Sequence, residues 1–496
     1  MIKAHQAIKG ATWNYLNRTT ELGLLFLASA LIARTLGPEK DSIFTLFSSL
    51  VGVTVSFTGL GIDWIVYKYI PQFTSIGKST EASALLRRTF IIRLLSAFAG
   101  ALTIYALIAT FNFTFLSPYK LLLPYLVFTV LYIIGQNIAL FGTAVLTSTL
   151  RTKEVLFINS TVKLFLIALL AWAAYSSLLS PNIAIISVTG AACVTGMIYI
   201  YYLIPIIRGN RVPVEYAPII MFGAVLLGND VLSFLLGRYS DILVLSYWFP
   251  GSPQVSIYDK AFQAGIVVEF SVMAGLSGVL FTVFAELAVR ARERLNEAHQ
   301  RVLAITQMVF IPVAVFVVFF APAIIGLIYG SNYAPAVLLF RIFLILDVID
   351  VGVFGGGMNI TLLNTISLEK TAFRNRCLWG ITNLAVNLYL IPHYGILSAL
   401  VTTRGCNLCA VAVEYFIVRR AIGGTYMFRW LVTAIIAAGI GLAGISLLSG
   451  DSLFNCLIGG FIFVLLVVAL YFVMKPAPMK WALQVIRIRQ TNNASV

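Results

Sequence analysis

Apolar stretches long enough to cross a bilayer follow one another along almost the whole chain, separated by short polar gaps. A membrane-spanning helix needs about 20 consecutive apolar residues. Reading by that length gives about fourteen spans, near 11–36, 42–70, 89–111, 121–146, 155–178, 182–207, 218–248, 258–289, 302–328, 334–364, 371–391, 394–418, 428–449 and 453–474. The pattern predicts an all-α polytopic membrane protein. Charged residues make up only 11% of the 496 positions, against about 25% in a soluble domain, so a water-facing surface has nothing to cover it.

Charge alternates from gap to gap. One set of gaps holds Lys78, Arg87 and Arg88, then Arg151 and Lys153, Arg208 and Arg211, Arg290 to Arg301, Lys370 to Arg376, and Arg419 with Arg420. The opposite gaps, such as 178–182 and 329–334, carry almost none. Lys and Arg mark the cytoplasmic side. Lys3 and Lys9 at one end and Lys475 and Lys480 at the other therefore predict two cytoplasmic termini and an even span count. The stretch from Arg290 to Arg301 reads as a polar helix extension at the membrane surface. A net charge of +15 suits anionic headgroups better than nucleic acid, which needs one contiguous basic face. The five cysteines lie mostly in apolar runs, and Cys406 and Cys409 read as small helix residues. The three histidines, His5, His299 and His393, stand far apart in sequence. Neither a metal centre nor a cofactor is expected, and the first apolar stretch is too long for a cleaved signal peptide.

Two echoes point to a duplication. Asn159 to Ile167 reads N-x-x-V-K-L-F-L-I, and Asn383 to Ile391 reads N-x-x-V-N-L-Y-L-I. Gly37-Pro38 precedes Ser42-Ile43-Phe44, as Gly251-Ser252-Pro253 precedes Ser256-Ile257-Tyr258. Both pairs relate spans one to six to spans seven to twelve in the same order and orientation, a parallel repeat of the kind transporters build around a central site. The expected domains are a six-helix bundle at 1–210, a second at 211–420, two additional helices at 421–475 and a cytoplasmic tail at 476–496.

Charge inside a membrane is costly, and it faces a partner or a water-filled cavity. Arg18 and Glu21 lie three apart in the first span, with Arg34 near its outer end. Asp63 follows Gly59 and Gly61 in the second; Arg238 and Asp241, again three apart, interrupt the seventh, below Asn229 and Asp230. Asp259, Lys260 and Glu269 occur in the eighth span, and Arg341, Asp347 and Asp350 in the tenth, before Gly355-Gly356-Gly357. Arg18, Arg34, Arg238, Lys260 and Arg341 are the candidate cations for a phosphate-bearing substrate, since guanidinium binds phosphate oxygens through paired hydrogen bonds. Glu21, Asp63, Asp241, Glu269, Asp347 and Asp350 are candidates to hold those cations or to couple transport to protons or sodium. Simple intrahelical ion pairs at Arg18–Glu21 and Arg238–Asp241 are the plainer alternative.

Ala33 to Glu39 (ARTLGPE), then Ile43-Phe44 and a second span ending in Gly59-Leu60-Gly61, resembles the amino-terminal pattern of polysaccharide transporters. These belong to the multidrug/oligosaccharidyl-lipid/polysaccharide exporter superfamily. Tyr258 to Ala264 (YDKAFQA), Gly330 to Tyr333 and Asn383 to Ala399 extend the resemblance to about residue 420. The sequence departs where members commonly carry a second glycine soon after Leu-Gly, having Asp41-Ser42. The resemblance implies two six-helix bundles arranged as a V, and flipping of polyprenyl-pyrophosphate-linked oligosaccharide, the O-antigen or polysaccharide repeat unit, across the cytoplasmic membrane. It also implies membrane lipids and a polysaccharide polymerase as partners. A polymerase or ligase fits poorly, because the outer gaps are too short to build a catalytic loop. A drug or metabolite antiporter of the same superfamily is the other alternative, for which two additional spans are unexpected.

Overall fold

The computed structural model describes residues 4–110, 114–207, 217–290, 292–424, 428–448 and 452–474. The expected tail at 476–496, Arg208 and Arg211, and the side chains of Asn229 and Asp230 lie outside the described residues. Among the described residues every regular element is a helix. Eight of the helices among the described residues are long and apolar enough to cross a membrane.

The first nine helices are α1 (Ala4–Thr58), α2 (Ile62–Ser75), α3 (Ser79–Thr110), α4 (Leu126–Ser148), α5 (Thr152–Tyr175), α6 (Pro181–Ile207), α7 (Ala217–Leu235), α8 (Arg238–Trp248) and α9 (Pro253–Arg290). A 3₁₀ segment, Thr114–Tyr125, leads into α4. The remainder are α10 (Leu295–Phe319), α11 (Ala321–Tyr329), α12 (Ala336–Asp347), α13 (Met358–Thr365), α14 (Glu369–Ile422), α15 (Phe428–Ile445) and α16 (Leu453–Met474). A π-helical turn, Val348–Val353, follows α12.

α1 has 55 residues and α14 has 54, roughly 80 Å of helix at 1.5 Å per residue against a hydrocarbon core of about 30 Å. Each has the length for two crossings, and each is broken by one glycine: Gly37 at φ 71° and Gly395 at φ 60°. Those angles suit a residue without Cβ; Gly37 opens the gap read at 37–41, and Gly395 lies two residues past the gap read at 392–393, just inside the span read at 394–418. The single run read at 218–248 is divided, α7 ending at Leu235 and α8 starting at Arg238.

Of the described residues, those within 4–260 and 380–399 form one compact unit, and those within 261–379 and 400–474 form a second. In the first, α1, α3, α4, α5 and α6 share a core around Phe47, Leu50, Ile133 and Leu170. α4 and α6 meet backbone to backbone: a Cβ on Gly135 would lie 3.0 Å from Ala192 C and from Cys193 N, and one on Gly196 would lie 2.9 Å from Gly135 O. Small residues permit such approach where hydrocarbon offers no hydrophobic drive between helices. Gly135→Ala is therefore expected to cost about 1–3 kcal/mol by overpacking, read as a lower melting temperature of the detergent-solubilised protein.

In the second unit α15 and α16 pack on α10 and α11. Phe316 and Phe320 lie against Phe463, at 5.5 Å between the Phe316 and Phe463 ring centroids, and Gly459 leaves room for Phe320. The Tyr471 hydroxyl donates to Met308 O at 2.8 Å. The stretch read as a solvated surface helix is only partly so: Arg301 pairs with Glu297 along α10, but His299 and Gln300 are buried. His299 meets Asn359 at 3.2 Å, and Asn359 in turn donates to Phe354 O at 2.7 Å, tying α10 to the segment after the π turn.

Candidate functional site

The first unit holds a line of alternating charge. α9 begins at Pro253, so Ser256 and Lys260, one helical turn apart, share a face. Both reach Asp41, which follows the Gly37 break: Ser256 Oγ donates to Asp41 Oδ2 at 2.5 Å, and Lys260 Nζ lies 3.3 Å from the same oxygen. Lys260 Nζ also lies 3.2 Å from Asp259 Oδ2 and donates to Ser29 Oγ at 3.1 Å. Arg238 Nη1 completes the line, donating to Asp259 Oδ1 at 2.9 Å, with its guanidinium 4.9 Å from the Tyr239 ring centroid. The side chains of Lys260 and Asp41 are 1% and 0% exposed. Charges so buried persist only because each is paired and hydrogen-bonded.

The two echoing segments, 159–167 and 383–391, each reach a carboxylate three residues after an arginine. Glu21 of α1 pairs with Lys163 of α5. Asp241, three after Arg238 as Glu21 is three after Arg18, accepts from Asn387 Nδ2 at 2.8 Å and from the Tyr258 hydroxyl. Lys163 and Asn387 are the fifth residues of the two echoing motifs. Their first residues are also engaged: Asn159 accepts from the Tyr199 hydroxyl at 3.0 Å, and Asn383 Nδ2 donates to Leu235 O at 2.8 Å. The carboxylate is common to both repeats, and a neutral amide stands in the second where the first has a lysine.

Asp63, placed by the turn at Gly59-Leu60-Gly61, pairs with Arg93 of α3. Arg93 is 2% exposed and also donates from Nε to Asn137 Oδ1 at 3.2 Å; Asn137 Nδ2 donates to Thr58 Oγ1 at 3.0 Å. One arginine thereby joins α1, α2, α3 and α4.

The second unit contains a denser cluster. Arg404 of α14 pairs with Asp347 and lies 3.5 Å from Asp350 and 3.8 Å from Glu269. Asn407 Nδ2 donates to Asp350 Oδ2 at 2.6 Å, and the Arg404 guanidinium stacks 4.2 Å from the centroid of Phe343. The π turn carries Asp350, and such turns recur at functional positions. Arg376 and Glu414, both on α14, form a two-pronged pair at 2.6 and 3.0 Å. Among the described residues no group of three His, Cys, Asp or Glu side chains is arranged to hold a metal ion.

Of the remaining candidates, Arg18 and Arg34 are exposed, and Arg341 is half-buried with Nε donating to Val318 O at 3.0 Å. Neither proposed intrahelical pair accounts for the carboxylates: Glu21 reaches Lys163, and Asp241 reaches Tyr258 and Asn387. Arg93, Lys163, Arg404 and Glu414 are not among the sequence candidates. Each is a charged residue well inside an apolar run, and that signal alone was available to find them.

A family model described as polysaccharide biosynthesis protein matches residues 31–338. The chain belongs to that family. An uncharacterized membrane protein of Methanocaldococcus jannaschii, MJ1068, is 22% identical over 434 residues, covering 80% of this chain and 81% of its own length. Among solved structures, the lipid II flippase MurJ in an inward closed conformation superposes with a TM-score of 0.71 at 14% identity, over 94% of this chain and 98% of MurJ. A multidrug resistance MATE family transporter of the MOP superfamily, in an inward-facing conformation, gives 0.63 at 15% identity, over 83% and 98%. This member of the polysaccharide biosynthesis family is thus a multi-pass membrane protein with the helical fold that MurJ and MATE transporters share.

Proposed function

We propose that this protein is a flippase carrying polyprenyl-pyrophosphate-linked oligosaccharide across the cytoplasmic membrane by alternating access, driven by a proton or sodium gradient. Its family membership supports a place in polysaccharide biosynthesis, and a fold shared with a lipid II flippase supports a lipid-linked cargo. The observation that carries the reading is the line Asp41–Lys260–Asp259–Arg238 inside otherwise apolar helices. Cations so placed attract a pyrophosphate, and the carboxylates hold them until it arrives. In this reading the two repeats form six-helix bundles at 1–210 and 211–420, the pair at 421–475 is an addition, and both termini are cytoplasmic.

Arg238, half-buried in the first unit, meets the pyrophosphate, while Arg18 and Arg34 of the same unit guide it; Arg341, half-buried in the second unit, is a separate candidate contact. Lys260 is enclosed by two carboxylates and contacts substrate only after that line opens. Asp241 is the coupling carboxylate, where it accepts from the neutral Tyr258 hydroxyl and Asn387 amide.

A deletion strain tests the reading. Loss of surface polysaccharide with lipid-linked repeat units trapped on the cytoplasmic leaflet supports it. Trapping on the outer leaflet points to polymerase or ligase activity, and unchanged glycans with altered drug tolerance point to an antiporter. Arg238→Ala and Arg341→Ala are each expected to lower transport of labelled lipid-linked oligosaccharide into vesicles by roughly 10- to 100-fold, the weight of charged hydrogen bonds. Membrane abundance should stay unchanged. Wild-type rates in both variants would remove the phosphate-binding role.

A further inference from the structure

The first unit carries a cleft of about 420 Å³ between α3 and α6, lined by Arg87, Phe90, Ile200, Leu203, Ile204 and Ile207. It lies at the polar ends of both helices, since Arg87 is in the early turns of α3 and Ile207 is the last residue of α6. The surrounding surface is apolar and outward-facing: Ile91, Leu95 and Phe98 on α3 and Tyr201 on α6 are all exposed. This is the surface a helix presents to lipid. Nearby, Arg151 at the start of α5 stacks 5.3 Å from the Tyr202 ring centroid.

Among the described residues Arg87 is the one polar residue in the lining. The residue is half-buried, and its guanidinium offers five donors with no acceptor of its own. The other lining side chains supply no acceptor, and among the described residues Arg87 meets no carboxylate. A guanidinium at the edge of hydrocarbon needs an anion. What the bilayer supplies at that depth is lipid phosphate, and basic pockets between membrane helices hold anionic headgroups.

We propose that this cleft binds one anionic phospholipid, its phosphate on Arg87 and the first part of an acyl chain along Phe90, Ile200 and Ile204. The volume suits that fragment: it lies within the range of about 300–1,000 Å³ typical of small-molecule sites, and the rest of the lipid stays in the bilayer. Apolar walls explain why a lipid and not a soluble phosphate fits, because a free anion would leave them against water. Bound there, the lipid links α3 to α6 at the basic end of the unit. The site is separate from the charges proposed to meet substrate and does not depend on the transport reading.

The test is native mass spectrometry of the full-length protein in detergent, offered phosphatidylglycerol or phosphatidylcholine in equal amounts. Wild type is expected to retain phosphatidylglycerol preferentially. Arg87→Ala should lower that retention roughly tenfold without changing phosphatidylcholine. Ile204→Trp, which fills the cleft and keeps the charge, should lower it as well. Lys153→Ala removes a lysine from the exposed start of α5, outside the cleft, and should leave it intact. Gel filtration and melting temperature confirm that each variant is folded. Equal retention by wild type and Arg87→Ala overturns the proposal, as does an equal loss in Lys153→Ala, which would mean diffuse surface charge. Inorganic phosphate that raises the melting temperature as much as phosphatidylglycerol does, in the absence of lipid, would assign the site to a soluble anion and overturn the lipid.

Discussion

Replacing Arg404 with methionine is expected to destabilise the protein by about 3–5 kcal/mol, the cost of leaving buried carboxylates without their cation. Asp347 and Asp350 are both buried, and Glu269 approaches the same guanidinium. Methionine restores volume, so the loss is electrostatic and not that of a cavity. Thermal unfolding of the purified protein in detergent, followed by circular dichroism, measures it. Adding Asp347→Asn to Arg404→Met should recover part of the loss, because removing both partners of a buried pair costs less than removing one. Wild-type stability in the single variant would mean that the carboxylates already carry protons or water. The cluster would then not be an ion-pair network.

Asn387→Lys is expected to slow transport sharply while leaving the protein folded. It gives the second repeat the lysine that the first has at Lys163, so that Asp241 acquires a permanent cation as Glu21 has. A carboxylate held by a fixed ammonium no longer exchanges a proton or sodium. The rate should fall by at least about tenfold, which corresponds to 1.4 kcal/mol or more, and the residual rate should lose its response to ionophores. Asp241→Asn should behave alike. Flux measured in proteoliposomes with an imposed gradient decides the matter. A wild-type rate with an unchanged gradient response in Asn387→Lys would show that coupling runs through another group.

The helices were legible because hydrocarbon thickness fixes their length, and the glycine breaks were legible to within two residues, Gly37 opening the gap read at 37–41 and Gly395 following the gap read at 392–393. The π turn was not: a change of backbone hydrogen-bond register at Val348–Val353 leaves no trace in an apolar pattern. Individual charges such as Asp241 and Lys260 stand out in apolar runs, but their partners do not. Lys163 and Glu21 are 142 residues apart, and only packing decides that they meet. Proximity in sequence instead offered Arg18 to Glu21 and Arg238 to Asp241. Asp41 was visible only as a departure from a family pattern, and its role follows from α9 bringing Ser256 and Lys260 to it.

That last pairing bears on how the chain is made. Asp41 and Ser256 are 215 residues apart, an interval of roughly 10–40 s at ordinary rates of synthesis. Throughout it the amino-terminal helical hairpin is already emerging with a carboxylate whose cation has not been translated. The Gly37 elbow lies in the gap between two crossings, so its unpaired carboxylate stays in contact with water and headgroups, because moving it towards the hydrocarbon without a cation is costly. Final seating of α1 therefore waits for α9, and a nascent chain arrested before Lys260 should remain open to labelling at that elbow.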